Sequence, residues 1–211
     1  MNRRDFIKQI YRGKTLGRIL FNGTVSNRCM ELEGRVFDIA GGDSPSYLKF
    51  IPKKIELVST DVLHGGINVD MNRPLPFKDE EFDGVLFFNA IYIAENPLFT
   101  MQEARRVLKK GGHLYLSSPF IANEMPEPHD YVRFTYEGLG GLFEEAGFSS
   151  INIERLGDRF SVVAHILHPF FIFNTIRLCV YTTAILIDRL IPKKLRERYP
   201  LPISYFCVLK K

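Results

Sequence analysis

Apolar residues along this chain switch between alternating and helical spacing, and the switches mark out strands and helices in turn. Residues 36–40, Val-Phe-Asp-Ile-Ala, are a short β-branched and aromatic run that reads as a first strand. A short helix is expected over 46–50 and a second strand over 55–60. Residues 84–89, Gly-Val-Leu-Phe-Phe-Asn, are almost continuously apolar, as a strand covered on both faces requires. Residues 97–108 instead place Met101, Ala104, Val107 and Leu108 on one side of a helix. The run Lys109-Lys110-Gly111-Gly112 is expected to close that helix with positive charge and glycine. Further strands are expected over 113–118, 151–156 and 203–209, with a helix over 139–146 that Thr135 caps and Gly147 ends.

The two ends of the chain differ from this middle. Residues 1–33 predict one or two helices with a basic face (Arg3, Arg4, Lys8, Arg12, Lys14, Arg18) and apolar faces around Ile10, Leu16 and Ile19. Residues 158–198 predict a helical insertion before the final strand. No Asp, Glu, Lys or Arg occurs over 160–176 or 178–187, but Arg177 and Pro169 interrupt the stretch, so no clean membrane span results. In helical geometry Arg177, Tyr181, Ala184 and Asp188 share one stripe, which leaves a wide apolar remainder. A basic cluster follows at Lys193, Lys194, Arg196 and Arg198.

Apolar strands joined by helices imply an α/β fold: a doubly wound sheet with helices on both faces. Ligands of such sheets sit beyond the carboxyl ends of the strands, which groups Asp38, Gly42, Asp61 and Asn89 in one crevice. Gly41 and Gly42 open a turn in which a ligand can approach the backbone. An acid ahead of that turn suits a cationic or hydroxylated ligand better than a phosphate. Asp61 follows at about the 20-residue gap expected of an acid that grips ribose hydroxyls.

Composition narrows the picture only a little. The 211 residues carry 45% hydrophobic and 25% charged side chains with a net charge of +4, too small to argue for nucleic acid. Three scattered cysteines (Cys29, Cys179, Cys207) have no metal-ligand spacing, which argues against a disulfide framework or zinc site and favours a reducing cytosol. Charges at Arg3, Arg4, Asp5 and Lys8 interrupt any signal-peptide pattern.

Four stretches, in order and at matching spacing, resemble a class I S-adenosylmethionine-dependent methyltransferase of the small-molecule branch. They are Val36-Phe37-Asp38-Ile39-Ala40-Gly41-Gly42; Ser59-Thr60-Asp61; Val69-Asp70-Met71-Asn72-Arg73-Pro74-Leu75-Pro76-Phe77 with Glu81-Phe82-Asp83; and Glu103-Ala104-Arg105-Arg106-Val107-Leu108-Lys109-Lys110-Gly111-Gly112. The resemblance implies a Rossmann-like mixed sheet of seven strands, the last antiparallel, in a single domain over 1–211. It implies S-adenosyl-L-methionine as cofactor. Asp38 would meet the methionine ammonium; Ala40, Gly41 and Gly42 would form the turn beneath it. Asp61 would hold the ribose with Val62 against the adenine, Asp70 and Met71 would flank the ring, and Asn89 would line the floor beside the sulfonium. Where the family pattern usually carries glycine, this chain has Ala40 and Ser44.

Catalytic candidates come from Pro126-Glu127-Pro128-His129-Asp130-Tyr131-Val132-Arg133, which should overlie the same crevice. His129 has an unperturbed pKa of about 6.5 and suits a general base. Asp130 or Glu127 would orient it, and Arg133 would bind an anionic substrate or brace Asp130; a plain structural ion pair is the competing reading. The expected activity is methyl transfer to an oxygen, with nitrogen second, of a small or lipid-linked acceptor. The alternative is a catalytically inactive cofactor-binding protein. The apolar insertion would pack on the domain, pair with a second copy as an oligomer, or meet a membrane surface. The protein is therefore expected to be cytoplasmic or peripheral on the inner membrane face, with no nucleic-acid partner.

Overall fold

β-Branched and aromatic runs become strands, and six of these hydrogen-bond into one mixed sheet in a computed structural model that describes residues 2–42, 45–60 and 69–211. They are β1 (Arg35–Asp38), β2 (Glu56–Ser59), β3 (Phe82–Phe88), β4 (Leu108–Pro119), β5 (Ser150–Leu156) and β6 (Ser204–Lys210). The spatial order is β2-β1-β3-β4-β6-β5. β1, β2, β3 and β4 pair in parallel, and β6 runs antiparallel to both of its neighbours. The antiparallel last strand agrees with expectation; the strand count does not, since six rather than seven occur among the described residues.

Alternation along the strands divides the core. Phe37, Val85, Phe87, Leu114 and Leu116 face α3 (Pro97–Val107) and α4 (Tyr136–Glu145), which cover them with Met101, Ala104, Leu139 and Phe143. Val36, Leu86, Phe88 and Phe206 face the opposite way, onto Phe21 and Val25 of α2 (Leu16–Arg28). Full burial of each such side chain stabilises by about 1.5–3 kcal/mol. The outer stripe of α2, Leu16 and Ile19, packs on Ile10 of α1 (Arg3–Tyr11), Ala164 of α5 (Arg159–Ile166) and Tyr181 of α6 (Asn174–Leu190). Thus α2 is a hinge plate between the sheet and an outer helical layer. Thr135 caps α4 as expected, accepting from the Gly138 amide at 3.1 Å.

One expectation fails at residues 109–112. The helix ends at Val107, and Leu108 is already extended at φ −77°, ψ 134°. Lys109, Lys110, Gly111 and Gly112 enter β4 through a register shift between Phe82 and Gly84 of β3. The reason is tertiary: Leu108 is fully buried, and Lys109 Nζ reaches Asp83 Oδ1 at 2.7 Å. The charge and glycine serve a bulged strand entry rather than a helix end.

Between β5 and β6 the chain forms α5, α6 and α7 (Lys193–Arg198). Tyr181, Ala184 and Asp188 are the buried residues of α6, three of the four positions on the stripe that spacing placed there. Asp188 accepts from the Phe160 and Ser161 amides, each at 2.9 Å, and so ties α6 to the start of α5. The opposite side is open: Ile176, Leu186 and Leu190 are 44%, 52% and 80% exposed. Among the described residues no helix is long and apolar enough to cross a membrane.

Candidate active site

The carboxyl end of β1 carries the most unusual polar group in the structure. Asp38 is completely buried. Tyr47 Oη donates to its Oδ2 at 2.5 Å, and its Oδ1 has no hydrogen-bond partner among the described residues. Burial pushes its pKa up to about 6, against the Tyr47 bond and the nearby Ala40 amide, which both pull it down. Gly41 follows so closely that a Cβ there would stand 2.8 Å from Asp38 Oδ2. Gly42 sits at φ +58° with open space where a side chain would be. An orphaned buried carboxylate oxygen beside an open glycine turn fits a positively charged or N–H-bearing ligand group.

At the end of β3, Asn89 adopts φ 51°, a left-handed conformation that asparagine tolerates better than most residues. Its amide donates to the Ser117 carbonyl at 2.9 Å, which holds the turn against β4. The Asn89 side lines a cavity of about 270 Å³ together with Arg18, Tyr92, Met125 and His165. Asp70 and Met71 lie on the adjoining loop. Asp70 is exposed, accepts from the Asn72 amide at 2.9 Å and stands 3.9 Å from Arg73. Met71 is half-buried against the core, and its carbonyl accepts from Thr100 Oγ1 at 3.0 Å. Asp61 and Val62 lie outside the described residues.

A family model described as "Methyltransferase domain" matches residues 34–116, the stretch that holds Asp38, Gly41, Gly42 and Asn89. That match covers less than half of the chain and agrees with the class I methyltransferase resemblance carried by the four sequence stretches. The chain is also 52% identical over 42 residues to the uncharacterized protein MJ1123 of Methanocaldococcus jannaschii, a match that spans 20% of each chain. A SAM-dependent methyltransferase from Archaeoglobus fulgidus superposes with a TM-score of 0.55 over 100% of both chains at 14% identity. Haemonchus contortus phosphoethanolamine N-methyltransferase 2, solved with phosphomonomethylethanolamine and S-adenosylhomocysteine, gives 0.58 at 15% identity over 90% of this chain and 52% of its own. These two likenesses establish the fold.

S-Adenosylmethionine is the cofactor of this domain class, and the unpartnered oxygen of Asp38 fits its ammonium group. The catalytic candidates fall elsewhere. His129 is exposed, with its ring stacked 5.1 Å from that of Tyr131, and it lines a separate depression with Glu124 and Pro126. Asp130 is saturated: Arg133 takes both its oxygens and the Met125 amide donates at 2.9 Å. The Arg133 pair holds the Asp130 carboxyl below its usual range. Arg133 also lies 4.9 Å over the Tyr92 ring, so this cluster braces a wall of the cavity.

Three residues here carry no local signal in the sequence: Tyr47 lies in a short expected helix, Arg18 is one of six basic residues in the arm, and His165 sits in an uncharged stretch. His165 Nδ1 accepts from the Gly17 amide at 3.4 Å, a contact across 148 positions that no local pattern announces.

Proposed function

We propose that this protein moves a methyl group from S-adenosylmethionine to an oxygen, or second to a nitrogen, of a small or lipid-linked acceptor held in the Asn89 cavity. The observation that carries this reading is the unpartnered Oδ1 of Asp38 beside the open Gly42 turn. Asp38, Ala40, Gly41 and Gly42 would take the methionine end, Asp61, Val62, Asp70 and Met71 the nucleoside, and Asn89 the floor beneath the reacting centre. When bound, the cofactor supplies an activated methyl carbon for in-line displacement. Tyr92 and Met125 would wall off water, with Tyr92 steadied by Arg133 and Asp130. His129 is assigned to the loop surface rather than to the reacting atoms.

The chain 1–211 would then work as one unit, with the arm 1–33 and the insertion 158–198 closing the acceptor side. A lipid-linked acceptor is favoured by α5. His165 turns to the cavity, while Val163 and Ile166 on the other side are each 53% exposed. That apolar side and the basic residues of α7 suit the interface of an anionic bilayer. Calorimetric titration of S-adenosylhomocysteine into wild type, Asp38→Asn and Asp61→Ala tests the cofactor site; micromolar binding in the wild type alone is expected. Failure of the folded wild type to bind would sink the reading. Flotation with phosphatidylglycerol vesicles, but not phosphatidylcholine vesicles, is expected for the lipid-linked form, and no flotation with either would leave a soluble small acceptor.

A further inference from the structure

Arg18 stands apart from the other partly buried arginines. Among the described residues Arg35, Arg106, Arg133 and Arg159 each hold a carboxylate, and Arg177 holds the Phe171 carbonyl at 2.7 Å. Arg18 has no such acceptor among the described residues; its guanidinium lies 5.5 Å from the Phe21 ring centre and lines the cavity beside Asn89 and Tyr92. A desolvated guanidinium keeps its charge and presents up to five donors, which are open to a group entering the cavity.

His165 lies on the same cavity. Its Nδ1 faces the Gly17 amide, which fixes the neutral tautomer with the proton on Nε2. Burial lowers its pKa and keeps it neutral at pH 7, so it offers an N–H rather than a basic lone pair. Gly17 permits this: a Cβ there would stand 3.1 Å from the ring.

We infer that Arg18 and the Nε2–H of His165 form an oxyanion cradle at the methyl-transfer cavity, made for a carboxylate or phosphate group. The inference rests on the methyltransferase reading of the site. Two sources could bring that oxyanion: the carboxylate of the cofactor's amino-acid end, opposite Asp38, or an anionic group of the acceptor. The cradle selects for a fork-shaped anion either way.

Calorimetry with three probes tests it. S-Adenosylhomocysteine carries the carboxylate; 5′-methylthioadenosine lacks it; glycerol 1-phosphate is added to protein already saturated with S-adenosylhomocysteine. If the cofactor fills the cradle, Arg18→Met weakens S-adenosylhomocysteine roughly tenfold or more and spares methylthioadenosine. If the acceptor fills it, glycerol 1-phosphate binds the saturated wild type, shifts the His165 ring resonances, and loses both effects in Arg18→Met. Arg18→Lys keeps the charge without the fork and should recover part of either effect, which separates recognition from misfolding. Equal behaviour of wild type and Arg18→Met toward all three probes would overturn the cradle. Failure of the wild type to bind either nucleoside would instead overturn the methyltransferase reading.

Discussion

Asp38 and Asp130 are both carboxylates near the crevice, and they are held in opposite ways. Asp130 has every oxygen engaged by Arg133 or the Met125 amide, and its pKa is lowered. Among the described residues Asp38 has one oxygen on Tyr47 and one without a partner, and its pKa is raised to about 6. A saturated acid stabilises the fold that surrounds it. An acid left short of partners in a dry place costs the fold stability and waits for a ligand. The arginines repeat the contrast: Arg133 is paired and Arg18 is not.

The largest effect that would break this comparison is on Asp38→Asn. Its amide keeps an acceptor for Tyr47 but loses the charge, so S-adenosylhomocysteine should bind roughly ten- to hundredfold more weakly by calorimetry. The same variant should be more stable than wild type without ligand at pH 7. An acid raised from 3.8 to about 6 leaves the folded state holding more protons than the unfolded one between these values. Wild-type stability therefore falls as pH rises from about 4 to about 6, by about 2–3 kcal/mol, and the variant should not show that fall. Denaturant midpoints across that range measure it, and a flat wild-type profile would count against the buried acid.

Asp130→Ala should act on the fold instead. It strands Arg133 and the Met125 amide, costs about 2 kcal/mol and lowers Tm by about 4–8 °C. Its pH signature is the reverse: the lowered pKa makes its contribution present above about 4 and lost as pH falls below that. Methyl transfer in that variant should fall less than Asp38→Asn loses cofactor affinity. The smallest effect is expected from His129→Ala, within about 0.5 kcal/mol of wild type by thermal melting, with methyl transfer retained. A large loss of turnover there, with stability unchanged, would return His129 to the reacting centre.

Most of the element pattern could be read from local spacing. The α6 stripe Tyr181, Ala184 and Asp188 is buried as a 3.6-residue period requires, and the Thr135 cap forms where a hydroxyl precedes a helix. Residues 109–112 could not be read so. A Lys-Lys-Gly-Gly run closes helices and bends strands equally well, and only the pairing of Leu108 with Phe82 decides between them. Exposed and buried acids likewise look the same in a chain: the Asp130–Arg133 ion pair and the half-empty Asp38 differ in their neighbours, not in their letters.

By itself the order of residues determined an α/β sheet, an acid and a glycine turn at the end of its first strand, and an apolar insertion before its last. These follow from periods and turn chemistry, which act over a few residues. Tertiary structure alone decided that Tyr47 would meet Asp38 and that Arg18 and His165 would share one cavity. Those contacts join distant elements, and their energies depend on burial and on which partners are missing, quantities that exist only once the layers have packed.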